Sequence, residues 1–376
     1  MKILFVFMIC ILFIFGCGEE KAVPEKIPEK TMSAENNDDS AGNHTEHLSY
    51  EITDNMQINA DVSEYDENVK VYEVTEKEFS VETLSRRFFS DSSKVNQNDN
   101  PNGIDLETED GSTLFVTKGY FDYFFNHDIE DIKYLIQGTY FSELNYQNKD
   151  DEVIKKLGER QVVKDILEDI EQIYNPSEDE KIELLNGVEL NAGKLLERQK
   201  LEIEKLDLQY DIDSGRYHKV DETMIPKDCY YLILGISKNE IPILGAQEPY
   251  VLTADEDAIY ENTYMEVIAD ATGIKSIRVS GAHSFTEKDT VVILPPKEAC
   301  NAIQKKYDMQ ILTSDYEITR VWLEYVFVPD VTAKNMLEKG TLQPYWCFEI
   351  IDKTDAENSY ADRINAVSGG DLAYGD

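Results

Sequence analysis

The sequence predicts an α+β protein of two related lobes, each an antiparallel sheet with packed helices, carried behind an exported N-terminus. Three observations predict it. Strand-like alternation and helix-like apolar spacing come in blocks rather than in a steady β/α succession. A hairpin, a helix and then strands follow one another in both halves, and a short apolar leader gives way to a stretch with almost no large apolar side chains. The expected organisation is a signal peptide over 1–16, a lipidated cysteine with an acidic disordered tether over 17–60, a first lobe with an inserted helix pair over 61–247, and a second lobe over 248–376.

Behind Lys2, residues 3–15 are uninterrupted apolar side chains. As a helix they would span only about 20 Å, short of a bilayer core of roughly 30 Å. A charged start, a short apolar run and a small residue before the cut describe a secretory signal peptide. Its end, Ile14-Phe15-Gly16-Cys17, resembles the bacterial lipoprotein signal. That resemblance implies that Cys17 becomes the acylated N-terminus. Two or more acyl chains, at about 0.8 kcal/mol per buried CH₂, are what stable anchoring needs. The expected location is the extracytoplasmic face of a cell membrane.

Residues 18–60 hold ten acids, three lysines and two prolines among many Asn, Ser and Thr. Such a segment buries too little apolar surface to offset the entropy of ordering it. Over the whole chain 75 acids face 36 bases, a formal net charge of −39. A field of that sign repels nucleic-acid phosphates, whose capture needs Lys and Arg clusters. Cys229, Cys300 and Cys347 are widely spaced, form no CxxC and stand beside apolar residues, so they read as small buried hydrophobes.

The elements follow in order. Val69 to Val74 alternates as a strand, and Ser80 opens a helix. Residues 106–125 form β-rich runs around an Asp110-Gly111 turn. A helix over about 151–173 carries the stripe Val163, Ile166, Leu167, Ile170 and Ile173, and Asn175-Pro176 stops it. Ser177 and Glu180 then read as a capping box that starts a second helix running to about 206. Residues 227–237 are an apolar strand, and 239–245 turn back from it. In the second half, 263–281 are two strands around a turn and 294–309 a helix with prolines in its first turn. A long strand at 316–329, then 342–351 and 361–372, complete a meander.

The second half, with Glu298-Ala299, Pro344, Trp346, Asn365-Ala366 and Gly369, is similar to the YycH/YycI-like regulatory domains and to PepSY domains, in which a helix packs on a small antiparallel sheet. The resemblance covers about 110 residues and implies a non-enzymatic protein outside the membrane that modulates a partner by binding it. Here the expected anchor is lipid, in place of the membrane-spanning helix of that family.

Chemical signatures are sparse. No HExxH, G-x-S-x-G or P-loop occurs. His44 and His47 fall in the expected tether, and His127, His218 and His283 in polar turns. Asn98, Asn100 and Asn102, with Glu109 downstream, have the spacing of a calcium loop, but Pro101 stiffens it and a strand follows where a helix should exit. The expectation is an Asn-rich connection, no cofactor and no metal. Acids are too abundant for any carboxylate pair to single itself out. The aromatic surplus is more distinctive: Tyr120, Tyr123, Phe125, Tyr345 and Trp346 are candidates for a partner-binding platform, since Tyr and Trp dominate binding hot spots. The resulting expectation is a non-enzymatic, lipid-anchored surface protein that binds a protein or peptide in envelope sensing or regulation. The alternative is a solute-binding lipoprotein that holds a small molecule between its lobes.

Overall fold

The computed structural model describes residues 46–90, 94–140, 151–206, 208–214, 218–243, 250–251, 259–260, 263–308, 312, 314–330 and 339–370. The signal peptide, Cys17 and the tether up to residue 45 lie outside the described residues. The elements from the start are β1 (His47–Thr53), β2 (Met56–Val62), β3 (Asn68–Glu76), α1 (Val81–Phe88), β4 (Val95–Asn100), β5 (Gly103–Thr108), β6 (Thr113–Thr117) and β7 (Tyr120–Phe124). Then come α2 (His127–Thr139), α3 (Asp151–Gly158), α4 (Gln161–Tyr174), β8 (Glu180–Glu189), α5 (Ala192–Leu206), α6 (Gln209–Asp213), β9 (Tyr230–Lys238) and β10 (Ile241–Pro242). The remainder are β11 (Tyr250–Val251), β12 (Ile259–Tyr260), β13 (Tyr264–Asp270), β14 (Gly273–Ser280), β15 (His283–Val292), α7 (Pro296–Tyr307), β16 (Tyr316–Pro329), β17 (Lys339–Asp352) and β18 (Asp355–Asn365).

The α+β class is as expected: helices pack on two sheets of mainly antiparallel strands. The first sheet runs β1-β2-β16-β17-β3-β15, with β18 also on β17. Its single parallel pair is β2 with β16. The second runs β10-β9-β13-β14-β7-β6-β5-β4, with β8 on the other edge of β9. Each sheet therefore draws strands from both sides of residue 247, and the boundary expected there is not a boundary between sheets. One core joins them, including Phe121, Val267 and Val279 of the second sheet and Tyr325, Trp346 and Phe348 of the first. A smaller core, built from Ile132, Ile136, Leu195, Tyr231 and Ile268, seats α2 and α5 on the outer face of the second sheet.

Four further expectations are corrected. The tether does not extend to residue 60, because 47–62 form a hairpin. Leu48, Ile52, Met56, Ile58, Ala60 and Val62 fall on one buried face, so a polar composition with the right two-residue period is enough once a sheet receives it. Residues 180–189 are a strand, not a helix. Ser177 and Glu180 do exchange capping-box contacts, the Ser177 N–H donating to the Glu180 carboxylate at 3.2 Å, yet the chain then pairs with β9 along its length. Gly187 sits so close to Leu157 and the Tyr231 carbonyl that a Cβ there would stand 2.8 Å and 3.0 Å from them. The helix expected over 151–173 is split where Arg160 adopts an extended conformation. His127, expected in a polar turn, instead opens α2, which Asn126 caps and whose helical spacing Ile129, Ile132 and Ile136 carry.

The two sheets meet where three distant segments exchange backbone hydrogen bonds. The Lys77 N–H donates to Ala282 O at 2.9 Å, the Gly119 N–H to Lys77 O at 2.8 Å, and the Ala282 N–H to Gly119 O at 2.9 Å. Gly119 has φ +67°, and a Cβ on it would stand 3.2 Å from Ala282 O. Beside this ring the Lys238 ammonium is buried, 2.6 Å from Asp179 and 3.3 Å from Glu180, and lies over the Tyr72 and Phe285 rings of the first sheet at 5.2 and 5.3 Å. Ile243 adds a parallel bridge to Tyr325, continuing from the β9–β10 hairpin onto β16.

Gly119→Ala is expected to destabilise the protein by about 1–3 kcal/mol through left-handed strain and crowding, read as a lower urea midpoint at unchanged slope. Lys238→Met strands the buried Glu180 carboxylate and is expected to remove about 3–5 kcal/mol, measured in the same titration. A loss under about 1 kcal/mol would show that Lys238 is not a tie between the sheets.

Candidate functional site

The five aromatic residues do not form a platform. Tyr123 is buried and stacks on Phe88 with ring centroids 4.1 Å apart. Trp346 is fully buried, edge-on to Tyr65, with its indole N–H donating to Leu294 O at 2.9 Å. Tyr345 is buried on the opposite face of the same sheet, beside Val326. Tyr120 is half-buried and donates its hydroxyl to Asp122 at 3.0 Å. Only Phe125 is open, 46 % exposed, with the Lys275 ammonium 5.0 Å from its ring. The physical reason is that both sheets bury the centres of their two faces, so a strand's alternation does not send every second aromatic to solvent.

The calcium-loop spacing is a hairpin. Asn98 pairs with Asp105 and Asn100 with Gly103, while Glu109 lies beyond the Val95–Thr108 pair at the opposite end. Four strand residues separate Asn98 from the level of Glu109, about 13 Å, so these groups cannot share an ion. Glu109 ion-pairs with Lys94 at 3.1 Å instead. Among the described residues no group of three or more His, Cys, Asp or Glu converges on one point. Cys229, Cys300 and Cys347 are buried and free, and burial raises each thiol above its ordinary range, Cys229 to about 12 and Cys300 to about 11.

What the structure does assemble is charge held inside sheets. On the α2 face of the second sheet, Lys133 meets Glu266 at 2.6 Å, Tyr231 donates to Glu266 at 2.6 Å, and Arg278 donates to Asp122 from Nε at 2.9 Å and Nη2 at 2.7 Å. Burial pushes the Glu266 carboxyl up, but the Lys133 charge, with Tyr231 and Arg278, outweighs it and holds the group below its ordinary range. In the first sheet Arg363 donates to Glu324 at 3.0 Å, and the Cys347 thiol reaches the same oxygen at 3.0 Å. Each charge here faces one of opposite sign, while Asp122 Oδ1 is buried with no hydrogen-bond partner among the described residues. No local pattern signals these pairs, since the partners lie 23 to 156 residues apart on strands of ordinary pattern.

Four open clefts of about 590, 450, 680 and 560 Å³ mark the surface. The first lies beside the Thr53–Asn55 turn and the end of α7, the second beside β3 and the ends of β16 and β17. The third lies between α7 and residues 368–370, and the fourth between α3, β8 and the start of α5. Each is lined by a single sheet with its own helices and loops. Among the described residues no helix is long and apolar enough to cross a membrane.

Around α7 and β17 local contacts close one unit. Ala299 of α7 is buried, Trp346 of β17 bonds the start of that helix, the Ala366 N–H donates to Pro344 O at 3.0 Å, and the Gly369 N–H to Asn365 O at 2.9 Å. The class so defined is a mixed α+β protein with two antiparallel sheets sharing one core. No protein-family model matches the chain, and no curated protein matches it. Among solved structures, an uncharacterized protein from Eubacterium rectale ATCC 33656, known from a crystal structure at 1.45 Å, is similar with a TM-score of 0.53 and 13 % identity, over 87 % of this chain and 93 % of its own. That likeness is one of overall fold.

His283 departs from its expected place in a polar turn. It is buried in β15, stacked on Phe327 at 4.8 Å, and burial lowers its pKa from 6.5 to about 4. The native state thus keeps the ring neutral while the unfolded chain takes up a proton below pH 6.5. Stability from this group is complete above pH 6.5 and lost as pH falls towards 4, by about 3 kcal/mol in all. His283→Gln is expected to flatten the decline of the urea midpoint between pH 6.5 and 4; an unchanged slope would show that His283 is not its source.

Proposed function

We propose that this chain is a lipid-anchored protein of the extracytoplasmic membrane face that acts without catalysis, by binding a protein or peptide partner in envelope sensing or regulation. The observation that carries the reading is Ile14-Phe15-Gly16-Cys17 behind an apolar leader too short to span a bilayer. Residues 18–46 separate Cys17 from the first strand at His47. The similarity of the helix-and-meander unit to YycI-like and PepSY-like domains supports binding over chemistry.

Labelled palmitate is expected to enter the wild-type chain in a bacterial host, with the protein in the membrane fraction; Cys17→Ala should abolish the label and release the protein from that fraction. Equal partition of the two would overturn the anchoring. Surface cross-linking of the anchored wild type should then recover one discrete extracytoplasmic partner. Failure to do so, together with a melting temperature that rises with a small solute, would favour the alternative.

A further inference from the structure

Asn-Gly occurs twice in the chain, at Asn102-Gly103 and Asn186-Gly187, and Asp-Gly once, at Asp110-Gly111. Glycine carries no side chain to shield its backbone nitrogen, so at each pair that nitrogen is a candidate to attack the side-chain carbonyl carbon of the residue before it. The fold treats the three differently. In β8, Asn186 is buried, its Oδ1 accepts the Gly187 N–H at 2.7 Å, and both residues are paired to β9. Ring closure there needs the ladder to open, and buried strands open at a cost near that of global unfolding. Asp110 is exposed, but its carboxylate accepts from the Thr108 hydroxyl and the Ser112 N–H, which hold it below its ordinary range. An ionised carboxylate is a poor electrophile. Asn102 differs on both counts: it lies exposed with Pro101 at the tip of the β4–β5 hairpin, beyond the last pair, Asn100 with Gly103, and its amide stays neutral at any working pH. Loop tips move at little cost. Glycine is also required at 103, where a Cβ would stand 2.6 Å from Val116 O and 2.7 Å from the Phe115 ring.

From this contrast we propose that Asn102-Gly103 is a site of spontaneous deamidation, with water as the co-reactant. The Gly103 nitrogen gives up its proton to solvent base and bonds to Asn102 Cγ. The Cγ–Nδ2 bond breaks, and the side-chain nitrogen leaves as ammonia after taking a proton from water. Water then opens the cyclic imide at either of its two carbonyls, leaving aspartate or isoaspartate at position 102. One water enters, one ammonia departs, and nothing is oxidised or reduced. Both products add a negative charge to the hairpin tip. Isoaspartate also adds a carbon to the main chain between β4, the terminal strand of its sheet, and β5, which shifts the register of the pair.

The test is incubation of the full chain in native buffer and in urea, followed by tryptic digestion and mass spectrometry of peptides 95–118 and 182–194. In native buffer a gain of one dalton should grow at Asn102, faster in mildly alkaline than in mildly acidic solution. Asn186 should convert more than about a hundredfold more slowly there, and should approach the rate of Asn102 in urea. N102Q should remove the gain from peptide 95–118 with circular dichroism unchanged, because the side chain is exposed. Asn102 protected in native buffer as strongly as Asn186 would overturn the proposal, as would Asn186 keeping pace with it there, or a gain in peptide 95–118 that survives N102Q.

Discussion

The structure depends on a ring of three backbone hydrogen bonds among Lys77, Gly119 and Ala282. Lys77 leaves β3, Gly119 turns β6 into β7, and Ala282 lies between β14 and β15, where the chain passes from one sheet to the other. An amide buried without a partner costs about as much as a lost hydrogen bond, so the three segments satisfy one another or none is satisfied. The ring therefore fixes where the sheets diverge. Lys238 completes the junction, since its ammonium needs Asp179 and Glu180 from one side and lies on aromatic faces from the other.

A second constraint is the scarcity of positive charge. Lys133, Lys238, Arg278 and Arg363 are spent inside the fold, each against a carboxylate that a sheet has carried out of water. Burying a carboxylate alone is prohibitive, whereas a hydrogen-bonded pair is tolerated. Each base so used is withdrawn from the surface together with the carboxylate it meets.

Much of the fold was legible. β3, α1, the Asp110-Gly111 turn, β9, the β13–β14 pair, α7, β16 and β17 lie where alternation, capping and apolar runs place them, whereas the strand expected at 361–372 is β18, which runs from Asp355 to Asn365. The failures have physical causes. Residues 180–189 carry both a capping box and a two-residue apolar alternation, and the buried edge of β9 decides between them. The 47–62 hairpin is too polar to hold together by itself and is ordered by β16. The aromatic candidates were chosen by residue type, but exposure depends on which face another element covers; Trp346 and Phe125, similar as hot-spot residues, end at opposite extremes.

By itself the sequence determined the α+β class, the acidic character and the apolar surroundings of Cys229, Cys300 and Cys347, because each is a property of local composition or of spacing within one element. Only the tertiary structure decided which strands share a sheet, which charges are buried in pairs, and which aromatic residues reach solvent. Those outcomes depend on contacts between residues as far apart as Lys77 and Ala282, and no local pattern carries the energy of a contact that forms only when distant segments meet.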